Sequence, residues 1–463
     1  MTFVFSSDGR RALRVSLALG LLVRLAIFWH TPTLGPEIED EQHYVQLANN
    51  VIEGNGFAFA PGRPTSIRPP LYPGLVATIF SITGAGNLQA VRLVQILLAL
   101  LTVAVIVELG RQAFTAAVGR YGAAIFFLYP SYIFFNFTIL TETLFTLLLI
   151  AFVLLSVRLV QTPRLSTALL CGLTLGLAAL TRSVLWPTPL IFCPLLVLLL
   201  RAPWRTRLAL PAAVLAGYAV VVSPWAIRNT RLQGVVTIVD TMGGMNLRMG
   251  NYEYTPDDRM WAAVGLSGEQ NWSYSIAQEF PGQHLTEGQK EKWAQSKAIA
   301  YMRAHPGTTL RRALIKFADF WGLEREYAAG VQQGMYSPPR WVGAAASLLI
   351  VVVYLGVIVC GAAGVWLAAP AWRVQVLLLL PVVIITGVHT LVFGHPRYHL
   401  PLMPLFALYA SALLATRSVA AWRERRPALV GASATVLMLV AVWVRQIVVV
   451  DAQRIRAFLN HVS

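Results

Sequence analysis

The stretch GPEIEDEQHYVQLANNVIEGNGFAFAPGRPTSIRPPLYPG, residues 35–74, follows the first apolar run of the chain. Four acids, Glu37, Glu39, Asp40 and Glu41, fill four of five consecutive positions in a protein with only 21 acids among 463 residues. Around this stretch the chain is 56% hydrophobic and 13% charged, whereas a soluble domain carries about 25% charged residues. Apolar runs of roughly 20 residues recur, the length that crosses a bilayer as helix, and helix satisfies every backbone polar group internally. The sequence therefore reads as an all-α polytopic membrane protein, with residues 35–74 in a polar loop after its first span. Arg10, Arg11 and Arg14 precede that span, Arg24 interrupts it, and no small-residue cleavage site follows, so it reads as a retained helix rather than a signal peptide.

About eleven spans are expected, at 12–31, 90–109, 120–136, 138–157, 166–181, 184–200, 208–226, 341–367, 374–393, 399–415 and 428–448. With the N-terminus in the cytoplasm, the inner links collect Arg111, Arg120, Arg158, Arg164, Arg201, Arg205, Arg207, Arg373, Arg417, Arg423, Arg425 and Arg426. Only Asp8, Glu108 and Glu424 join them, as the positive-inside rule requires. The net charge of +16 thus reflects membrane topology, and no nucleic-acid partner is expected. Three parts follow: an N-terminal transmembrane module, 1–227, with outer loop 32–89; an extracytoplasmic unit, 228–340; and C-terminal helices, 341–463. The outer unit holds all four lysines and reads as small and mixed α/β. GVVTIVD (234–240) suggests a strand, MGGMNLRMGN (242–251) a glycine-rich turn, and residues 292–323 two amphipathic helices broken near Pro306. Trp293, Phe317, Phe320 and Trp321 suit either the membrane surface or an ordinary cap domain. Cys171, Cys193 and Cys360 lie in apolar runs without metal-ligand spacing and read as core residues.

Four constellations carry potential chemistry. Asp40 and Glu41 open a short helix, EQHYVQLANNVIEG, where the dipole favours negative charge. Capping alone would explain one acid, but four exceed that need, and a carboxylate here is a candidate general base. Arg68 precedes Pro69-Pro70, whose fixed backbone presents a guanidinium suited either to phosphate or to lipid headgroups. Glu142 opens the apolar run ILTETLFTLLLIAFVLL (139–155), where an ionisable group is costly unless paired, for structure or for substrate. Arg182, Arg228 and Arg397 stand at outer helix ends, as a basic pocket or as snorkelling side chains. His43 is a weaker candidate ligand for a divalent cation, because no zinc-helix spacing surrounds it.

In this order, DEQHY (40–44), RPPLYPG (68–74), ILTETLF (139–145), SPWAIRN (223–229) and HPRYHLPLMP (395–404) resemble the GT-C class of integral membrane glycosyltransferases. The nearest likeness is to the bacterial branch related to protein O-mannosyltransferases and lipid A aminoarabinose transferases. That resemblance implies a polyprenyl-phosphate-linked sugar donor, a lipid, protein or glycan acceptor, and catalysis on the extracytoplasmic face. It makes Asp40 the catalytic base with Glu41 beside it, and Arg68 the donor-phosphate ligand at a position often occupied by lysine. Arg228 and Arg397 join Arg68, with Tyr44, Tyr72, Glu142, Arg182 and Tyr398 in support. Inversion by single displacement follows, with arginines neutralising the phosphate, so no cofactor is expected and a divalent cation is not required. The rival is a transporter or flippase for a lipid-linked sugar, which would place its charges at mid-membrane on broken helices.

Overall fold

The computed structural model describes residues 9–257, 260–415 and 426–452, without the side chain of Trp261. Asp8, Arg417, Arg423, Glu424 and Arg425 lie outside the described residues. The chain enters through α1 (Arg10–His30), then α2 (Glu39–Ile52), a hairpin of β1 (Ala58–Ala60) and β2 (Arg63–Pro64), and α3 (Leu71–Thr83). There follow α4 (Leu88–Ala113), α5 (Ala116–Phe127), α6 (Pro130–Phe135), α7 (Glu142–Gln161), α8 (Leu165–Thr181), α9 (Thr188–Leu199) and α10 (Trp204–Gln233). One end of the bundle then carries α11 (Met242–Met249), α12 (Tyr274–Glu279), α13 (Glu287–Ala304), α14 (Pro306–Phe320) and α15 (Glu326–Gln332). The chain returns through α16 (Arg340–Leu367), α17 (Trp372–Leu391), α18 (Met403–Ala415) and α19 (Arg426–Arg445).

Among the described residues, eight helical stretches are long and apolar enough to cross a bilayer: α1, α4, α7, α10, α16, α17, Pro396–Ala415 ending in α18, and Arg426–Val450 beginning with α19. The other three expected spans coincide with the shorter α5, α8 and α9. The run expected at 120–136 is divided, because α5 stops at Phe127 and Pro130 opens a new helix, α6. α7 and α18 are the most enclosed of the long stretches, and α1 and α19 the least. Exposed tryptophans ring both ends, Trp29, Trp186 and Trp341 at one and Trp204, Trp366 and Trp372 at the other. Indole rings favour the bilayer interface, so the two rings mark its faces. α8 and α10 cross closely because Gly172 lies on the Val214 carbonyl and Gly217 on that of Leu169; a Cβ at either would come within 2.4 Å of backbone oxygen.

Between α6 and α7 the buried chain from Asn136 to Thr141 is not helical. Loose backbone at membrane depth survives only where protein groups satisfy it, and here buried side chains do so. Arg92 donates to the Phe137 and Leu34 carbonyls, and Gln95 to those of Asn136 and Thr138. The Ile139 amide donates to Glu41. Arg24, buried under α5, bonds Asn136 Oδ1 and the terminal Phe127 carbonyl. This clasp fixes where α7 begins, and hence Glu142.

The outer unit differs from its expected mixed character. Among the described residues the only sheet is the two-stranded hairpin in the first loop. GVVTIVD has the β-branched content of a strand but no partner strand. It runs as bent, irregular chain, with Trp225 and Asn229 of α10 donating to the Val239 carbonyl and Thr241 N to that of Ser66. The predicted glycine-rich turn is α11, where Gly244 packs on the Glu291 carbonyl of α13. The break near Pro306 is present between α13 and α14. Trp293, Phe320 and Trp321 are buried, which removes them from any membrane surface. α10 runs through the boundary expected at 228, ending at Gln233.

Arg92→Met leaves the Phe137 carbonyl without its donor inside the protein and should cost roughly 2–4 kcal/mol. Thermal unfolding in detergent should show a clearly lowered midpoint, whereas Arg111→Ala, at an exposed pair with Glu108, should melt as wild type does. Indistinguishable midpoints for the two variants would contradict the clasp.

Candidate active site

The four acids of the opening stretch go to four different places. Glu37 and Glu39 face solvent, and Glu39 Oε1 lies 3.8 Å from His43 Nε2. Glu41 turns inward and accepts from the amides of Glu37, Ile38 and Ile139. Its carboxylate is consumed by capping α2 and clasping the segment before α7, so it is not placed to act beside Asp40 as a base. Burial raises its carboxyl, while those three amides oppose the rise.

Asp40 alone of the four enters a basic cluster. Its Oδ1 accepts from Arg68 Nη2 at 2.6 Å and its Oδ2 from Arg397 Nη1 at 3.0 Å. Arg397 Nε donates to Glu142 Oε1, and Arg182 Nη1 approaches the same oxygen at 3.4 Å. The charges therefore alternate, Arg68, Asp40, Arg397, Glu142, Arg182, and sum to one excess positive charge. Burial alone would raise the Asp40 carboxyl, but Arg397 and then Arg68 outweigh it and hold the group at about 2. The ionised pair is thus kept as pH falls through the ordinary carboxylate range and is lost only near the depressed value.

Each participant is delivered by local structure. α2 presents Asp40 in its first turn, where the helix dipole favours an anion. Pro69 and Pro70 carry Arg68 just ahead of α3, and its Nε makes no hydrogen bond within the protein. Glu142 is the first residue of α7, and Arg397 stands in the tight turn Pro396–Leu402 leading into α18. Tyr44 lies under Arg68, 5.7 Å from ring to guanidinium, and Tyr398 lies 5.2 Å from Arg182. Burial, and after it Asp40, pushes the Tyr44 hydroxyl up to about 12, so it stays protonated.

Three other expected site residues are placed elsewhere. Arg228 donates to the carbonyls of Phe57 and Thr65 and stacks on Trp225, fastening the hairpin loop to α10 rather than joining Arg68 and Arg397. Tyr72 is fully buried and donates to Gln95 Oε1, supporting the clasp. His43 Nδ1 meets Arg68 Nη2 at 2.9 Å, so a cation bound there would face a guanidinium.

One acid was missed. Asp240 ends the GVVTIVD segment within electrostatic reach of Arg68, and burial raises its carboxyl to about 6, against opposing bonds from Ser183 and the Met242 amide. An isolated acid after a β-branched run carries no motif; only the packing of the outer segment over α8 and α10 brings it to the cluster.

Residues 67–227, about a third of the chain, match the family model described as dolichyl-phosphate-mannose-protein mannosyltransferase. That segment contains Arg68, Glu142 and Arg182 but neither Asp40 nor Arg397. The oligosaccharyltransferase of Archaeoglobus fulgidus in its apo form is similar in structure, with TM-score 0.53 and 14% identity over 98% of this chain and 56% of that one. AglB of the same organism, with an inhibitory peptide and a dolichol-phosphate, gives TM-score 0.49 and 12% identity over 96% and 55%. ArnT from Cupriavidus metallidurans bound to undecaprenyl phosphate gives 0.40 and 15% over 86% and 77%. The chain spans a little over half the length of the archaeal proteins. No curated protein sequence matches it. The matched segment is thus similar to that mannosyltransferase family, and the fold as a whole is similar to that of the archaeal enzyme.

Because Asp40 occupies both Arg68 and Arg397, Asp40→Asn should free them for an anion and strengthen binding of inorganic phosphate by roughly tenfold. Titration in detergent reads this, and weaker binding by the variant would show that Asp40 does not compete with phosphate. Asp240 adds a pH effect of defined sign. Its raised carboxyl takes a proton as pH falls through about 6, which removes a negative charge near Arg68. Binding of a simple phosphodiester anion, whose own charge is constant in this range, should tighten between pH 7 and 5 in wild type and stay level in Asp240→Asn.

Proposed function

We propose that the chain is an inverting glycosyltransferase that moves a monosaccharide from a polyprenyl-phosphate carrier to a hydroxyl of a cell-envelope acceptor. The observation that carries this reading is Asp40 held between Arg68 and Arg397 at one end of a membrane bundle. A base and two phosphate-binding cations in mutual contact are the minimum set for displacing a lipid phosphate from an anomeric carbon. The matched family's description names a dolichyl-phosphate sugar donor, consistent with that chemistry.

At about 2 the resting carboxyl is a weak proton acceptor, since efficient bases have values near the working pH. Donor binding corrects this. The phosphate takes up the guanidiniums of Arg68 and Arg397, their pull on Asp40 falls, and its proton affinity rises. Asp40 then accepts the proton of the acceptor hydroxyl, whose oxygen bonds to the anomeric carbon as the carbon–phosphate oxygen bond breaks. The bonding electrons leave on the lipid phosphate, where the two arginines stabilise the charge. Glu142 and Arg182 hold Arg397 in register throughout. Backside attack inverts the anomeric centre.

Arginines clustered at the opposite end, among them Arg111, Arg120, Arg158 and Arg164, support a cytoplasmic placement of that end and an extracytoplasmic site. Phosphate neutralisation by guanidinium supports a reaction that needs no divalent cation.

Purified enzyme, a panel of polyprenyl-phosphate sugars and membrane extract as acceptor test the reading. Wild type should transfer one sugar with inversion, and Asp40→Asn should lose at least about a hundredfold in kcat. Arg68→Ala should lose both kcat and donor affinity. Chelation with EDTA should leave the rate unchanged. Normal turnover by Asp40→Asn, or no donor consumed by wild type, would favour movement of a lipid-linked sugar over its transfer.

A further inference from the structure

A cavity of about 380 Å³ adjoins the cluster at Arg397 and Tyr398. It runs between α15 and the turn before α18, with Phe134, Glu326, Tyr336 and His395 in its walls. Its size lies at the lower end of small-molecule sites, which span about 300–1,000 Å³, and so suits one sugar ring rather than an oligosaccharide.

The chemistry of the wall is specific. Phe134 and Tyr336 meet edge to face at 5.6 Å, and Tyr327 stacks on Tyr336 from behind. Such rings offer apolar faces to the C–H side of a sugar. Glu326 Oε1 and Tyr336 Oη are shielded from water and make no hydrogen bond among the described residues. Unused polar atoms of this kind are costly to bury, a cost that a bound hydroxyl or amine removes. His395 Nδ1 lies 3.5 Å from Glu326 Oε1 and already accepts from the Arg397 amide.

Charge excludes one kind of ligand. Among the described residues, each arginine lining the cavity is engaged by a carboxylate, Arg325 by Asp451 and Arg397 by Asp40 and Glu142. Burial, then Arg397, holds His395 neutral, at about 3. A sugar carboxylate would therefore meet Glu326 and find no uncommitted cation among the described residues of the wall.

We propose that this cavity is the glycosyl pocket of the donor, that it takes a single sugar ring bearing no negative charge, and that Glu326 and Tyr336 bind the ring's hydroxyl or amino groups. This rests on the transfer reading above. Arg68 and Arg397 would hold the phosphate at the mouth, and the ring would extend inward from the anomeric carbon past Tyr398.

The test measures binding of four ligands to full-length protein in detergent. They are bare undecaprenyl phosphate and its conjugates with a neutral hexose, an aminopentose and a hexuronic acid. Either the neutral or the amino conjugate should bind roughly tenfold tighter than the bare lipid phosphate, and the uronic conjugate no tighter. Glu326→Gln and Tyr336→Phe should each weaken the favoured conjugate roughly five- to tenfold, leaving the bare lipid phosphate within about twofold. A loss through Glu326→Gln larger than that through Tyr336→Phe identifies an amino sugar, because the substitution removes a countercharge. Preference for the uronic conjugate overturns the proposal, as does equal weakening of conjugate and bare lipid, or no weakening by either variant. If wild type binds neither conjugates nor bare lipid phosphate, the transfer reading itself fails. The wild-type panel needs no substitution, so a variant that fails to fold leaves the specificity prediction intact and open to refutation.

Discussion

The contact on which the rest of the site depends is the one between Asp40 and its two arginines. Three ionised groups are brought together at the end of a bundle whose interior is apolar, where an unpaired charge is strongly disfavoured. None of the three comes from the same element: Asp40 is on α2, Arg68 on the turn before α3, and Arg397 on the turn before α18. Their pairing therefore ties the first outer loop to the last third of the chain. Glu142 extends the arrangement to α7 and Arg182 to the end of α8. The alternation of sign makes this tolerable, because each buried charge is neutralised by its neighbours. It also leaves one excess cation, which is the condition for recruiting an anion.

Such a cluster needs precise anchoring, and irregular backbone supplies it. The chain before α7 gives up helical hydrogen bonds over Asn136–Thr141 so that Glu142 can start a new helix at the right height. Arg92, Gln95 and Glu41 replace the missing partners. A second node lies behind the cavity. Glu324 accepts from Tyr129 and Ser131 and meets His399 Nε2 at 2.9 Å, while His399 Nδ1 bonds the Phe320 carbonyl. With one ring nitrogen on a carbonyl and the other on a carboxylate, this histidine and Glu324 lock α14, α6 and the turn carrying Arg397 together. Buried polar groups here position the reactive ones.

Much of this was legible in the sequence because membrane insertion leaves strong signals. Apolar run length located the long helices, and the break before Pro306 and the helix after Pro36 followed from local rules. Asp40, Arg68, Glu142, Arg182 and Arg397 were all named from residue type and position at helix ends, and the structure brings them together. Other assignments went astray where tertiary partners decide. Glu41 is adjacent to Asp40 in sequence but a hundred degrees around the helix, so it faces the interior. Arg228 has the same residue type and depth as Arg397, yet loop carbonyls at Phe57 and Thr65 claim it. GVVTIVD has strand composition, but a strand requires a neighbour, and this one found α10 instead. Asp240, Glu326 and Tyr336 sit in segments without periodicity, where only packing reveals what they face.

The separation of roles within the acid cluster follows from one helical turn. A capping group must point back along the helix axis to reach free amides, whereas a group that pairs with arginines from distant elements must point outward. Glu41 does the first and Asp40 the second, so adjacent acids divide anchoring from chemistry. The division also bears on how a carboxylate held at about 2 can serve as a base in the proposed reaction. Were Asp40 also held by backbone amides, as Glu41 is, donor phosphate could not release it, because amides would continue to stabilise its charge. Held by guanidiniums alone, Asp40 is restrained by the groups that the phosphate itself engages, and substrate binding can change its proton affinity. The same contact then keeps the empty site ionised and links the strength of the base to the presence of the leaving group.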